Sequence, residues 1–121
     1  MRGHKDIVRT IKISPDSKLA MTVSSDKTVK LWDLHTHKVL KNFDFHKDDS
    51  VMAMSCNKDF TKMVTGSRKG EIFFTDIAKS IYCRMDNLKE ESILSLALSN
   101  DSQYIFATTS KNKLIEYVYI C

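Results

Sequence analysis

Glycine and proline are scarce, three and one in 121 residues. A loop that cradles phosphate with backbone N–H groups needs several closely spaced glycines, so a nucleotide-binding fingerprint is excluded. Cysteine is scarce too: Cys56, Cys83 and Cys121 are odd in number, far apart and in no Cys-x-x-Cys spacing. That argues against a disulfide framework or a zinc site and makes a reducing compartment, cytoplasm and/or nucleus, the expected location. No stretch reaches the roughly 18 uninterrupted apolar residues of a membrane helix, and the opening MRGHKDIVRT lacks the apolar centre of a secretion signal. No membrane partner is expected. The excess of positive charge is small, 19 Lys and Arg against 15 Asp and Glu, and it gathers in residues 1–43, which hold nine cations and four acids. Without a concentrated stripe or interleaved aromatic platforms, this reads as solvated lysines guarding strand edges, and nucleic acid is not an expected partner.

What is present is a core-forming composition, 42% hydrophobic and 28% charged, arranged in repeats. SPDSKLAMTVSSDKTVKLWD (14–33), NKDFTKMVTGSRKGEIFFTD (57–76) and SNDSQYIFATTSKNKLIEYV (99–118) align on Asp16, Asp59 and Asp101, at offsets of 43 and 42 residues. His4 and His46 repeat the spacing at 42. Short apolar runs between turns predict strands over 8–13, 19–24, 29–33 and 39–43, then 51–56, 62–67, 71–76 and 80–85, then 93–98, 104–109 and 113–118. In 19–24, 51–56 and 93–98 neither alternate set is strongly polar, so burial on both faces is expected there.

A period of this length with four strands, a Gly3-His4 opening and a Trp32-Asp33 close resembles the WD-repeat β-propeller family. The resemblance implies an all-β fold: about three four-stranded antiparallel blades over 3–43, 44–86 and 87–121, the last incomplete, as part of a larger, seven-bladed ring. A chain opening at Met1 with no preceding outer strand is accordingly expected to be a fragment, completed by missing blades or by self-association. The resemblance also implies a buried hydrogen-bond relay formed by His4, Thr22 (or Ser24), Asp26 and Trp32. A donor-only indole and an acceptor-only carboxylate can be joined through an imidazole and a hydroxyl. The second repeat keeps His46 and Thr65 but has Lys69 at the turn Asp and Thr75 at the Trp; the third has Lys111 and Tyr117 there and no opening His. Those blades are expected to rest more on apolar packing.

The stretches GHKDIVRTI, SSDKTVKLWDL and GSRKGEIFFTD, with Val51-Met52-Ala53 and the tail TTSKNKLIEYV, are similar to the ubiquitin-specific-protease-activating WD-repeat proteins. This implies a non-enzymatic scaffold binding ubiquitin or activating a deubiquitinase, with ubiquitin or a ubiquitin-specific protease as partner. Where that subfamily places a partner-facing Trp this chain has Met52, while Arg68 keeps its Arg, a departure that counts against activation. In an antiparallel blade the start of the first strand and the end of the second share one edge. Arg9, Met52 and Arg68 on that edge are the expected protein contacts, with Leu94, Ser25 and Ser110 beside them.

Other features carry less. A His, a hydroxyl and an Asp also suit a hydrolase, but no Gly-x-Ser-x-Gly elbow is present, and no catalytic residue is assigned. His35-x-His37 lacks a third ligand, and Asp44, His46, Asp48 and Asp49 lack calcium-loop spacing, so neither a metal nor a cofactor is expected. LKEE (88–91) reads as a solvated connector. An RNA-associated propeller subunit of a ribonucleoprotein complex is the alternative function, supported by the basic first repeat.

Overall fold

The computed structural model describes residues 4–47, 49–89, 91–99 and 101–118. Gly3, Asp48, Glu90 and Cys121, all used above, lie outside them. Among the described residues the chain is all strand and turn, eleven strands in three antiparallel sheets. The first sheet is β1(Val8–Ile13), β2(Leu19–Ser24), β3(Val29–Asp33) and β4(Lys38–Phe43), in chain order. The second is β5(Val51–Cys56), β6(Lys62–Ser67), β7(Glu71–Asp76) and β8(Ile81–Asn87), and the third is β9(Ile93–Leu98), β10(Tyr104–Thr109) and β11(Leu114–Val118). Each is a meander whose turns close on side chains. Asp16 accepts from Lys18 N, Asp101 from Gln103 N, and Asn57 from Thr61 N and Lys62 N, the local bonds that favour Asp and Asn in turns.

The sheets stack as blades, with β1 and β2 against β5, and β5 and β6 against β9. Between blades 1 and 2 lies a core of Met21, Val23, Val29, Leu31, Phe43, Phe45, Val51, Met54, Met63 and Phe73. Between blades 2 and 3 lies another, of Ala53, Val64, Ile72, Phe74, Ile93, Leu96, Leu98, Ile105 and Ala107. Blade 2 is therefore covered on both sides, which is why β6 and β7 are almost wholly buried. Polar atoms also cross between blades: Lys41 Nζ donates to the carbonyls of Ile77 and Ala78 and to Ser80 Oγ, at 2.7, 3.0 and 2.9 Å. Leu98 N donates to Ser55 Oγ at 3.0 Å.

Two expectations are corrected. Strand β9 is buried on one face only, because Leu94, Ser95 and Ala97 belong to the outward face of blade 3. Cys83 is disulfide-bonded, where the number and spacing of the cysteines argue against a disulfide framework. Cys56 is the free cysteine among the described residues, and burial pushes its thiol up to about 12.

Candidate functional site

Blade 1 holds a continuous polar chain from strand to loop. Trp32 Nε1 donates to Thr22 Oγ1 at 2.8 Å, Thr22 Oγ1 and His4 Nε2 are hydrogen-bonded, and His4 Nδ1 lies 3.0 Å from Asp26 Oδ2. The carboxylate accepts only, so Nδ1 carries the proton. Nε2 then accepts from the Thr22 hydroxyl, whose oxygen in turn accepts from the indole, and each polar group is satisfied in sequence. Between Thr22 and Ser24, it is Thr22 that joins the chain; the Ser24 hydroxyl donates instead to the Ile7 carbonyl at 2.9 Å and accepts from Asp26 N. At Asp26, burial acts to raise the carboxyl. Bonds from the Thr28 hydroxyl, Lys5 N, His4 and Thr28 N together outweigh it and hold the group below the usual carboxylate range.

A hydroxyl, an imidazole and a carboxylate in this order also describe a hydrolytic triad. Here the His4 side chain is 3% exposed and Thr22 is 5% exposed, with Thr22 Oγ1 already bonded to both Trp32 and His4. The site fastens the loop before β1 to the sheet and leaves no hydroxyl presented to a substrate.

Blade 2 keeps half of this chain. His46 Nε2 and Thr65 Oγ1 are 2.7 Å apart and buried. Thr75, at the position of Trp32, has a buried hydroxyl with no hydrogen-bond partner among the described residues. The aromatic contact moves two residues back along the same strand face, where Phe73 meets His46 edge-on at 4.8 Å and joins Phe45 and Tyr82. Blade 3 has no such chain: Ala107 stands at the position of Thr22 and Thr65, and a buried carboxylate bonds instead to Thr109, at the position of Ser24. Glu91, 6% exposed, accepts from the Thr109 hydroxyl at 3.1 Å and from Lys113 Nζ at 3.2 Å. Reading 88–91 as solvated is thus corrected at Glu91. Its only sequence signal was a carboxylate two residues before a strand, which surface loops share. Tyr117, at the Trp position, donates to Asp86 of blade 2 at 2.7 Å; burial and that carboxylate both raise its phenol above the usual range.

The second feature is the edge where the first strands begin. Ladder register slips between Val8 and Thr10, between Val51 and Ala53, and opposite Thr108 and Thr109, leaving Arg9, Met52 and Leu94 as the extra residue of an equivalent bulge in each blade. A bulge leaves its residue outside the ladder and re-aims the side chain. Met52 is half-buried between buried Val51 and Ala53, and Leu94 is 55% exposed beside buried Ile93. Arg9 Nε donates to Ser25 Oγ at 2.8 Å. Arg68, exposed, donates from Nη2 and Nε to Asp49 Oδ2 at 3.1 and 3.3 Å. Burial acts to raise the Asp49 carboxyl, but Ser50 N and Arg68 hold it below its ordinary value.

Two serines not singled out from sequence connect these residues. Ser50 Oγ donates to the Ser25 carbonyl at 3.3 Å, and Arg68 N to the Ser50 carbonyl at 2.9 Å. Ser92 Oγ donates to the Arg68 carbonyl at 2.8 Å, and Ser110 N to the Ser92 carbonyl at 3.0 Å. A hydrogen-bonded belt thus runs along the rim from blade 1 to blade 3 and carries Arg9 and Arg68. His35 and His37 lie in the turn between β3 and β4, at the opposite edge. No group of three or more potential metal ligands is found among the described residues.

The family model described as TEP-1 C-terminal beta-propeller matches residues 4–76. The U3 small nucleolar RNA-associated protein 12 of Saccharomyces cerevisiae is 28% identical over 120 residues, covering 97% of this chain and 12% of that protein. MST50-interacting protein 11 of Pyricularia oryzae is 38% identical over 121 residues, 91% of this chain and 37% of that protein. The small ribosomal subunit protein RACK1 of Candida albicans is 39% identical over 115 residues, 91% of this chain and 36% of that protein. The chain therefore spans no more than 37% of the length of these three relatives. They do not show the ubiquitin-specific-protease-activating subfamily. With blades stacked in chain order and a family match over most of the first two, the chain belongs to the WD-repeat β-propellers, in the TEP-1 C-terminal beta-propeller family.

Proposed function

We propose that the chain is part of a non-enzymatic scaffold that docks proteins on its rim within a ribonucleoprotein assembly. The observation that carries this is the recurrence of one bulge at one position in three blades, projecting Arg9, Met52 and Leu94 along the edge that also bears Arg68. A bulge gives up ladder pairing, and while the outer strands of blades 1 and 2 also slip register at Leu40 and Met85, repetition at the start of the first strand in all three blades fits a surface that presents side chains. The names of relatives favour the assembly: one is associated with a small nucleolar RNA, one is a ribosomal subunit protein, and a further one, 34% identical over 70 residues, is subunit I of eukaryotic translation initiation factor 3 from Botryotinia fuckeliana. The ubiquitin-directed reading rests on the sequence similarity of five short stretches, among them GSRKGEIFFTD around Arg68, and on no relative named above.

The test is affinity capture on the tagged chain, with and without nuclease, beside a variant combining Arg9→Glu and Met52→Glu. The expected result is a set of proteins that survives nuclease and is lost with the variant. A set that disappears with nuclease means tethering through RNA, and a set indifferent to the variant means docking elsewhere; either removes the proposal. Recovery of ubiquitin or a ubiquitin-specific protease in the variant-sensitive set would replace the ribonucleoprotein context with the ubiquitin one.

A further inference from the structure

Resting on the reading that the rim docks protein, we infer that its occupant is a short segment in which carboxylates alternate with apolar side chains. Two guanidinium groups are pre-positioned there. Arg9 is held through Nε on Ser25, and Arg68 through Nε and Nη2 on Asp49, both on the hydrogen-bonded belt. A guanidinium tethered from its Nε side keeps further N–H groups for an incoming carboxylate, and its side-chain ordering is already met before the partner arrives. Between and beside these cations the bulges set Met52 and Leu94, apolar and at least partly exposed. Guanidinium, thioether and isobutyl groups in one row ask for acid and aliphatic side chains in alternation.

The charge arrangement points the same way. At the turn position where blade 1 has Asp26, blades 2 and 3 have Lys69 and Lys111, both exposed. Three acids of this edge are turned inward: Asp49, Glu71 and Glu91 have largely buried side chains and are paired with Arg68, Arg84 and Lys113. Asp6 is exposed beside β1 in company with exposed Lys5 and Lys27, and Asp44, exposed in the loop before β5, is paired with exposed Lys47. Among the described residues the exposed charges of the rim are thus in cationic excess. An RNA strand would use the same cations, but the exposed aromatics Tyr82 and Tyr104 lie at the opposite edge and Phe106 on the outer face of blade 3, so among the described residues bases find no stacking platform at the rim.

Three fluorescent probes titrated against the chain decide the matter: a short peptide alternating Asp and Leu, the same peptide with Asn for Asp, and an oligouridylate. The expected result is saturable, salt-sensitive binding of the Asp–Leu peptide alone. It should weaken about tenfold or more with Arg9→Gln and Arg68→Gln combined, a loss of roughly 1.4 kcal/mol or more. Leu94→Ser, at an exposed position, should weaken it without touching a hydrogen bond, and Lys79→Gln, at the far edge, should leave it unchanged. Circular dichroism separates lost binding from lost fold in the double variant. Equal binding of the Asn peptide, indifference to the rim variants, or preference for the oligouridylate overturns the inference. If the peptide fails while captured proteins still depend on Arg9 and Met52, the docking surface stands and only this chemistry falls; if both fail, both readings fall.

Discussion

Four donors converge on Asp26: the His4 ring, the Thr28 hydroxyl and the backbone N–H groups of Lys5 and Thr28. Because they depress its folded value below the ordinary carboxylate value, Asp26 adds stability above about pH 4 and loses it as pH falls through the folded value. Denaturant melts of the chain and of Asp26→Asn should therefore differ most near neutrality and converge in acid. The other depressed aspartates, Asp16, Asp33, Asp49, Asp76 and Asp101, are common to both proteins and drop out of the difference. Thr75 is the reverse case, a buried hydroxyl with no bond among the described residues. Thr75→Val keeps the shape and removes the penalty, and should raise stability by about 1 kcal/mol in urea unfolding. At this scale the family resemblance pointed to His4, Thr22 (or Ser24), Asp26 and Trp32, whose donor and acceptor types suit such a relay. It did not show Glu91, because a carboxylate in a loop carries no mark of whether it will be buried until the Thr109 and Lys113 side chains are in place.

Strands and turns were legible almost residue by residue, since apolar runs punctuated by Asp, Asn and Ser dictate both. The differences are small: the fourth strand of blade 2 runs 81–87 against the expected 80–85, and that of blade 1 starts at Lys38. The bulges were not legible, because a slipped register is a property of two paired strands and leaves no trace in either alone. Two glycines show how tightly the elements meet. A Cβ on Gly66 would lie 2.5 Å from the Ile93 side chain of blade 3, so Gly66→Ala should cost about 1–3 kcal/mol by forcing blades 2 and 3 apart. A Cβ on Gly70 would lie 2.0 Å from the Leu88 carbonyl oxygen, at a φ of +96°. Backbone cannot yield as a side chain can, so Gly70→Ala should cost more than Gly66→Ala when the two are unfolded side by side.

The whole molecule is a stack with two uncovered ends. Blade 1 turns Ile11 and Ile13 outward, and blade 3 turns out Tyr104, Phe106, Leu114 and Val118. Apolar groups spread over a sheet face associate in water, so light scattering on the isolated chain should report particles heavier than 13.9 kDa, reduced by Phe106→Lys with Leu114→Lys. A monodisperse monomer with a sharp melt would show that these faces are innocuous. Between the two ends, the edge that carries Arg9, Met52, Leu94 and Arg68 is chemically distinct from its opposite, where the turn acids Asp16, Asp33, Asp59 and Asp101 lie. Site-specific photocrosslinking at Met52 and at Lys79 decides directly which edge meets partners. Adducts from position 52 and none from 79 are the expected result; adducts from 79 alone, or equally from both, would contradict docking at the rim.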